Sequence, residues 1–415
     1  MKILHLNTHD INGGAARAAF RLHSALNKSG QKSYMLVRDK VSNDSTIIRL
    51  NENKLTNYFK IFIKKIANKF IRIWLNPTSI YSLNPILLTN THQIINKINP
   101  DIVHLHWVAD RFLNLKELSK IDKPIIWTLH DEWPITGGCH INHDCFKFYN
   151  SCGACPVINS GSDQDISYRQ FQIKLNIYSQ LPNLVFNGIS YWTTRQIKNA
   201  FLTRKHKAVN LPNTINTSEF YLIEKVEARN KIEIKPNHKY ILFGAMSALS
   251  DINKGADLLI KALERLSTKE EITLLIFGNK IDETWLNNFD TLFFDFVSEN
   301  AILNQIYNAA DVMIVPSRQE NLSNTIMESL ACGTPVIAFD IGGNSDMIEH
   351  KKNGYLASPF DCNDLAAGIE WILSNPEYDK LRSNAREKIV NSFSEEIIIP
   401  KYIEVYTRMI KDSLK

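Results

Sequence analysis

Nowhere do eighteen apolar residues run together in this 415-residue chain, so no bilayer-spanning helix is expected. At the N-terminus, MKILHLNTHD, the apolar run stops at Leu6. It lacks the longer apolar region and small-residue cleavage site of a secretory leader and reads as a buried first strand. A cytoplasmic protein is expected, with any membrane contact peripheral. A large excess of one charge is also missing: 48 Lys and Arg against 43 Asp and Glu leave a formal +5, too little to imply nucleic acid as a partner. Cysteine is scarce, with six in the chain; in a reducing compartment the default is free thiols or a metal site, and disulfides are the lesser alternative. Short repeats and low-complexity tracts are absent. With 44% hydrophobic and 22% charged residues, the composition excludes long disordered stretches.

What is present is an alternation of strand and helix signals, the pattern of parallel sheets covered by helices on both faces. In the first half, apolar strands are expected over residues 2–7, 33–37, 101–106, 125–129 and 184–189. A helix over residues 15–29 stops at Gly30, and Ser190 is placed to cap a helix. The same grammar restarts with strands over 239–244, 272–277, 311–315 and 334–339, and helices over 256–266 and 323–331. Two successive blocks predict two Rossmann-like domains facing across a cleft. Their expected bounds are 1–215 and 216–394, with a last helix over 395–415 packing back on the first domain.

The segment 309–354, AADVMIVPSRQENLSNTIMESLACGTPVIAFDIGGNSDMIEHKKNG, carries the densest signal. A strand ends at Pro316, a polar turn bears Glu320, and the following helix bears Glu328. Turn amides at Ser323, Asn324 and Thr325 would face an anion, and the helix dipole would favour a diphosphate there. Glu320 could accept from sugar hydroxyls, and Glu328 from ribose hydroxyls. Glu320 and Glu328 stand in a Glu-x7-Glu spacing, followed in register by ACGTPVIA, GGN and NGYL. The segment thereby resembles the donor-binding half of the retaining GT-B glycosyltransferases of family 4. The resemblance covers nearly the whole second half and, more thinly, the first.

The resemblance implies a transferase that takes a sugar from a nucleotide-diphosphate sugar. It assigns Lys254, before Gly255, to the donor diphosphate, where a cation stabilises the leaving group. Two departures stand out: no arginine lies between Gly244 and Lys254, and Asn321 and Ser323 replace glycines common in the family. In the first half, the loop HDINGGAARAA brings Gly13 and Gly14 to a helix N-terminus, where the family touches donor phosphates. PIIWTLHDEW puts His130 after a strand, matching the family's histidine near the transferred sugar. Asp131 and Glu132 are candidate bases for the acceptor hydroxyl. His104 and His106 alternate on a neighbouring strand, one of them a core-filling candidate. No residue stands out as a covalent nucleophile, and no metal is required for catalysis.

Two further features remain. Cys139, Cys145, Cys152 and Cys155 lie in GGCHINHDCFKFYNSCGACP, where a Cys-x2-Cys knuckle and two earlier thiols could hold a structural zinc. His140 or His143 could replace one thiolate, and free thiols or disulfides are the alternatives. Residues 57–75, NYFKIFIKKIANKFIRIWL, have apolar residues at helical spacing among five Lys or Arg and no acid. This reads as a basic amphipathic helix for an anionic membrane surface, or as a helix packed on the first domain. The expected function is transfer to a glycan acceptor, lipid-linked, in surface-polysaccharide biosynthesis on the inner face of the cell membrane. A nucleotide-sugar epimerase, or a sugar-nucleotide binder without turnover, is the alternative.

Overall fold

The computed structural model describes residues 1–50, 80–85, 89–244, 249, 251–267, 272–278, 289–295, 297 and 299–414. The chain divides into two compact units, Met1–Pro212 with Ile399–Lys415, and Asn213–Ile398. The basic segment 57–75 lies outside the described residues. No helix among the described residues is long and apolar enough to cross a membrane.

The described strands of the first unit are β1 (Lys2–His9), β2 (Lys32–Asp39), β3 (Ile47–Arg49), β4 (Ile102–Leu105), β5 (Ile125–Leu129), β6 (Val185–Gly188) and β7 (Lys207–Asn210). They form one parallel sheet in the order β3-β2-β1-β4-β5-β6-β7. Burial on both faces explains why β4 and β5 are enclosed along their whole length, as parallel strands covered by helices must be. The helix Gly14–Lys28 turns Ala16, Ala19, Leu22, His23 and Leu26 inward, a stripe at three- and four-residue spacing. Gly30, at φ 84°, ends it in the left-handed conformation that glycine tolerates.

The second unit repeats the plan with β8 (Lys239–Gly244), β9 (Ile272–Phe277), β10 (Asp290–Phe294), β11 (Val312–Val315), β12 (Val336–Phe339) and β13 (Gly354–Ala357). Their order is β10-β9-β8-β11-β12-β13, again parallel. Its core joins Ile241, Phe243, Leu274 and Ile314 to Leu259 and Leu263 of the helix Ala256–Leu263. In both sheets the order reverses beside the first strand, between β1 and β4 and between β8 and β11. Ligands of open α/β sheets bind at that reversal, outside the carboxyl ends of the strands.

The last helix, Glu395–Ser413, carries Pro400 inside it, close to where the chain passes from the second unit to the first. Tyr402 and Tyr406 of this helix are buried in the first unit. The Tyr402 hydroxyl donates to the Leu211 carbonyl at 3.1 Å, and the Tyr406 hydroxyl lies 2.6 Å from His104 Nδ1. Each hydroxyl therefore keeps a polar partner where water is excluded.

Candidate functional site

In the second unit, the loops that leave β8 and β11 are tied together at the strand-order reversal. Lys254 ends the short turn Ile252–Lys254, whose preceding Asp251 accepts from the Asn253 amide at 3.0 Å. Gly255 follows at φ 70°, and a Cβ there would lie 2.0 Å from the Pro316 carbonyl oxygen. Only glycine lets this turn close on the end of β11. Asn253 Nδ2 donates to the Gln319 carbonyl at 2.9 Å, and the Arg318 amide donates to the Asn253 carbonyl at 2.7 Å. The Arg318 fork grips Asp257 at 2.9 and 2.8 Å.

These ties set Lys254 Nζ 2.6 Å from Glu320 Oε1, and Ser317 Oγ donates to the same oxygen at 2.8 Å. The side chains are 28% and 11% exposed, open enough for a ligand to compete for them. Burial pushes the Lys254 ammonium toward deprotonation, but the Glu320 carboxylate outweighs it and holds the pKa above its ordinary value. Lys254 is therefore a permanent cation. The GGN word secures the carboxylate's backbone: the Gly343 amide donates to the Glu320 carbonyl at 3.0 Å. A Cβ at Gly342, φ 54°, would lie 1.8 Å from that oxygen.

The spacing places the two glutamates in different surroundings. Glu320 is on the loop, whereas Glu328 is on the inner side of the helix Asn324–Ala331, 3% exposed, with Oε2 accepting from the Tyr307 hydroxyl at 2.8 Å. Ser323 stands at the N-cap but makes no side-chain cap bond; its hydroxyl pairs with that of Thr325 at 3.0 Å. No cap side chain therefore takes up the first-turn amides, the groups that bind anions at helix starts. Asn324 Oδ1 receives Asn213 Nδ2 at 3.5 Å. Residues 245–248 and 250, most of the stretch without the family arginine, lie outside the described residues. Ser317 and Tyr307 are contributors that sequence reasoning missed. Ser317 follows Pro316 in the quoted segment 309–354; nothing local marked Tyr307.

In the first unit, Gly13 adopts φ 98° at the N-cap of the 15-residue helix Gly14–Lys28, and a Cβ on it would meet nothing within 4 Å. The backbone conformation requires glycine while open space lies above it. Asp10 fixes this loop by accepting from the amides of Ile11, Val41 and Ser42 at 2.9, 2.9 and 2.7 Å.

His130 follows β5 and is joined to a run of imidazoles. His5 Nδ1 lies 2.9 Å from His106 Nε2, and His106 Nδ1 lies 3.0 Å from His130 Nε2. His104 stacks on His106 with ring centroids 4.1 Å apart and engages Tyr406 and Thr128 hydroxyls at 2.6 and 2.7 Å. His104 is thus the core-filling member of the pair, and His106 the one that reaches His130. Ligand nitrogens of His5, His104 and His106 lie within 4.8 Å of one another. Those of His104 are committed to hydroxyls and those of His106 to imidazoles, so the group is a hydrogen-bonded stack. Burial pushes the His130 pKa down to about 4, with Asp131 opposing; its imidazole is neutral at pH 7.

The two candidate bases follow His130 in the same loop. Asp131 Oδ2 receives Trp107 Nε1 at 2.6 Å and lies 2.5 Å from His140 Nδ1, while Oδ1 accepts from the Trp133 amide at 3.0 Å. Burial raises its pKa, but His140 and these donors outweigh burial and hold it below the usual carboxylate value. A carboxylate so well supplied with donors is a weak base. Glu132 is 2% exposed. Glu132 is enclosed in the loop, whereas the Asp131 side chain stays 18% exposed with its oxygens engaged.

The four clustered cysteines lie just beyond this loop, none of them in a disulfide. His140 is not available to join them, since Nδ1 is on Asp131 and Nε2 lies 2.8 Å from Ser82 Oγ.

Residues 224–388 match the family described as Glycosyl transferases group 1. The glycosyl transferase WcaC of Escherichia coli K12, named for colanic acid biosynthesis, is 22% identical over 423 residues, covering 99% of this chain and 100% of its own. Sucrose-phosphate synthase of Thermosynechococcus elongatus superposes with a TM-score of 0.71 at 19% identity, over 99% of this chain and 100% of that one. Anabaena HepE, solved with UDP-glucose, superposes with a TM-score of 0.66 at 15% identity, over 98% of this chain and 100% of its own. At such identities structural likeness speaks for the fold, which is GT-B, with two Rossmann-like domains. The group 1 match and the full-length relative make the chain a glycosyltransferase.

Proposed function

We propose that the chain is a retaining, family 4 glycosyltransferase. It moves a sugar from a nucleotide-diphosphate sugar to a lipid-linked glycan acceptor during surface-polysaccharide assembly. The observation that carries the reading is the Lys254–Glu320 pair at the strand-order reversal of the second unit, beside a helix start without a side-chain cap. A donor diphosphate would compete for the Lys254 ammonium and release Glu320 to accept from sugar hydroxyls. As the bond from the sugar's anomeric carbon to the phosphate oxygen breaks, negative charge grows on the leaving diphosphate. Lys254 and the first-turn amides of Asn324–Ala331 would stabilise it. The acceptor oxygen bonds to the same face of that carbon, and its proton passes to the departing phosphate oxygen. This route needs no carboxylate base, in keeping with the engaged Asp131 and the buried Glu132.

Other support is indirect. HepE was solved with UDP-glucose, and WcaC is named for colanic acid biosynthesis. From the first unit, the resemblance assigns Gly13 and Gly14 to donor phosphates and neutral His130 to the sugar. The lipid-linked acceptor and the inner membrane face rest on the basic segment 57–75 in the sequence. The test is incubation with UDP-, GDP- and ADP-sugars and bacterial lipid extract, with the product's anomeric configuration read by NMR. A product with the donor's configuration is expected. An inverted product overturns retention, and an epimerised nucleotide sugar without transfer overturns the reaction.

A further inference from the structure

We propose that Cys139, Cys145, Cys152 and Cys155 bind one Zn²⁺ ion in a structural tetrathiolate site. All four line one cavity of about 20 Å³. A single water-sized sphere occupies roughly 10–15 Å³ on this measure, so the space suits one ion and no organic group.

The chain is shaped to present the thiols. Between Cys152 and Cys155 it turns left-handed twice, at Gly153 (φ 144°) and Ala154 (φ 42°). A Cβ on Gly153 would lie 2.2 Å from the Asp163 carbonyl oxygen. The Ala154 amide donates to the Ser162 carbonyl at 2.7 Å and the Cys155 amide to Asp165 Oδ2 at 2.9 Å, which pins the knuckle. The Gly137 amide donates to Cys152 Sγ at 3.1 Å, a bond that strengthens when the sulfur is a thiolate. Four thiolates around Zn²⁺ leave a net charge of about −2. Lys174, buried beside the segment, donates through Nζ to the Trp133 and Thr136 carbonyls and so fixes the backbone that leads into Cys139.

The segment also needs a staple. Across residues 137–165 the described structure holds two three-residue 3-10 turns, Lys147–Tyr149 and Pro156–Ile158, and no strand. Its own apolar cluster is Cys139, Cys155, Val157 and Ile158 with Tyr81. Three sulfurs do not yet lie within 4.8 Å of one another, whereas a ZnS₄ tetrahedron with 2.3 Å bonds has edges of roughly 3.8 Å. Metal binding would therefore draw the thiols inward over the cavity.

Protein purified without chelator should contain about one zinc per chain, the stoichiometry of one four-ligand site. Residue-mapped alkylation should find these four cysteines protected until a chelator is added. Replacing zinc with Co²⁺ should give the intense visible bands of tetrahedral cobalt and a sulfur-to-cobalt charge-transfer band. The double change Cys152→Ser with Cys155→Ser should lose the metal. If that variant does not fold, alkylation of the wild-type chain decides alone. Metal-free native protein whose four thiols react freely, or are joined in disulfides by mass, overturns the proposal. None of these readouts depends on glycosyl transfer.

Discussion

At the strand-order reversal of the first unit, neutral imidazoles stack from β1 and β4 toward His130. At the corresponding reversal of the second, an ammonium is paired with a carboxylate. Ten of the twelve histidines precede Asn213. Burial holds His5, His104 and His106 well below the ordinary imidazole value and takes His23 down to about 4. The second unit instead balances its buried charges. Asp311 takes Lys225 and Arg229 at 2.6 and 2.8 Å, and Lys254 is held cationic by Glu320. One sheet topology therefore carries two polar designs, and the chemistry resides in the side chains at strand ends rather than in the fold.

The sharpest way to separate the units is acid. A histidine whose folded pKa is near 4 and unfolded pKa near 6.5 gives its full stabilisation above pH 6.5. That contribution is lost as pH falls from 6.5 to 4, because the unfolded state binds the proton first. For His23, fully enclosed, this is about 3 kcal/mol. Hydrogen exchange followed by mass spectrometry should show β1, β2 and β4 losing protection between pH 7 and 4 before β8 and β11 do. Earlier opening of β8 and β11 would break the comparison.

Lys254→Ala should lower turnover on the order of 10²-fold, as loss of an electrostatic donor to a leaving group does, with the thermal midpoint little changed. Unaltered kinetics would show that Lys254 serves only its ion pair. Glu320→Ala should cost roughly 1.5–3 kcal/mol of transition-state stabilisation, the worth of hydrogen bonds to a charged group, read as a fall in kcat/KM. Wild-type turnover by the folded variant would remove Glu320 from the site. The smallest effect belongs to the first unit: Ser190→Ala removes the hydroxyl that accepts from the Thr193 amide at 3.0 Å. The loss should be about 1 kcal/mol in chemical denaturation, without change in donor affinity.

Much of the fold was legible because central parallel strands are continuous apolar runs: β5, β8 and β9 have the bounds read from the sequence. The Ser190 cap was legible for the same local reason, a hydroxyl just before a helix. Edge strands were not. Lys207–Asn210 and Asp290–Phe294 are only partly buried and carry no long apolar signal. Lys254 and Glu320 were each marked by motif words, but neither their ion pair nor the link between His5 and His106 was legible. The histidine link arises from pairing of β1 with β4, about a hundred residues apart in sequence, and no local pattern encodes that register. The partners of Asp131 were not legible for a similar reason: Trp107 and His140 reach it from 24 and 9 residues away in the sequence.

The most direct test is binding of nucleoside diphosphates to the intact chain, since the donor-site reading stands on the second unit's ion pair. In a thermal-unfolding panel of UDP, GDP and ADP, one ligand at a hundredfold excess over its Kd should stabilise the wild-type chain by about 2.7 kcal/mol. Lys254→Ala should lose most of that gain while remaining folded. Equal stabilisation of both chains, or none by any nucleoside diphosphate, would contradict a donor site at Lys254 and Glu320.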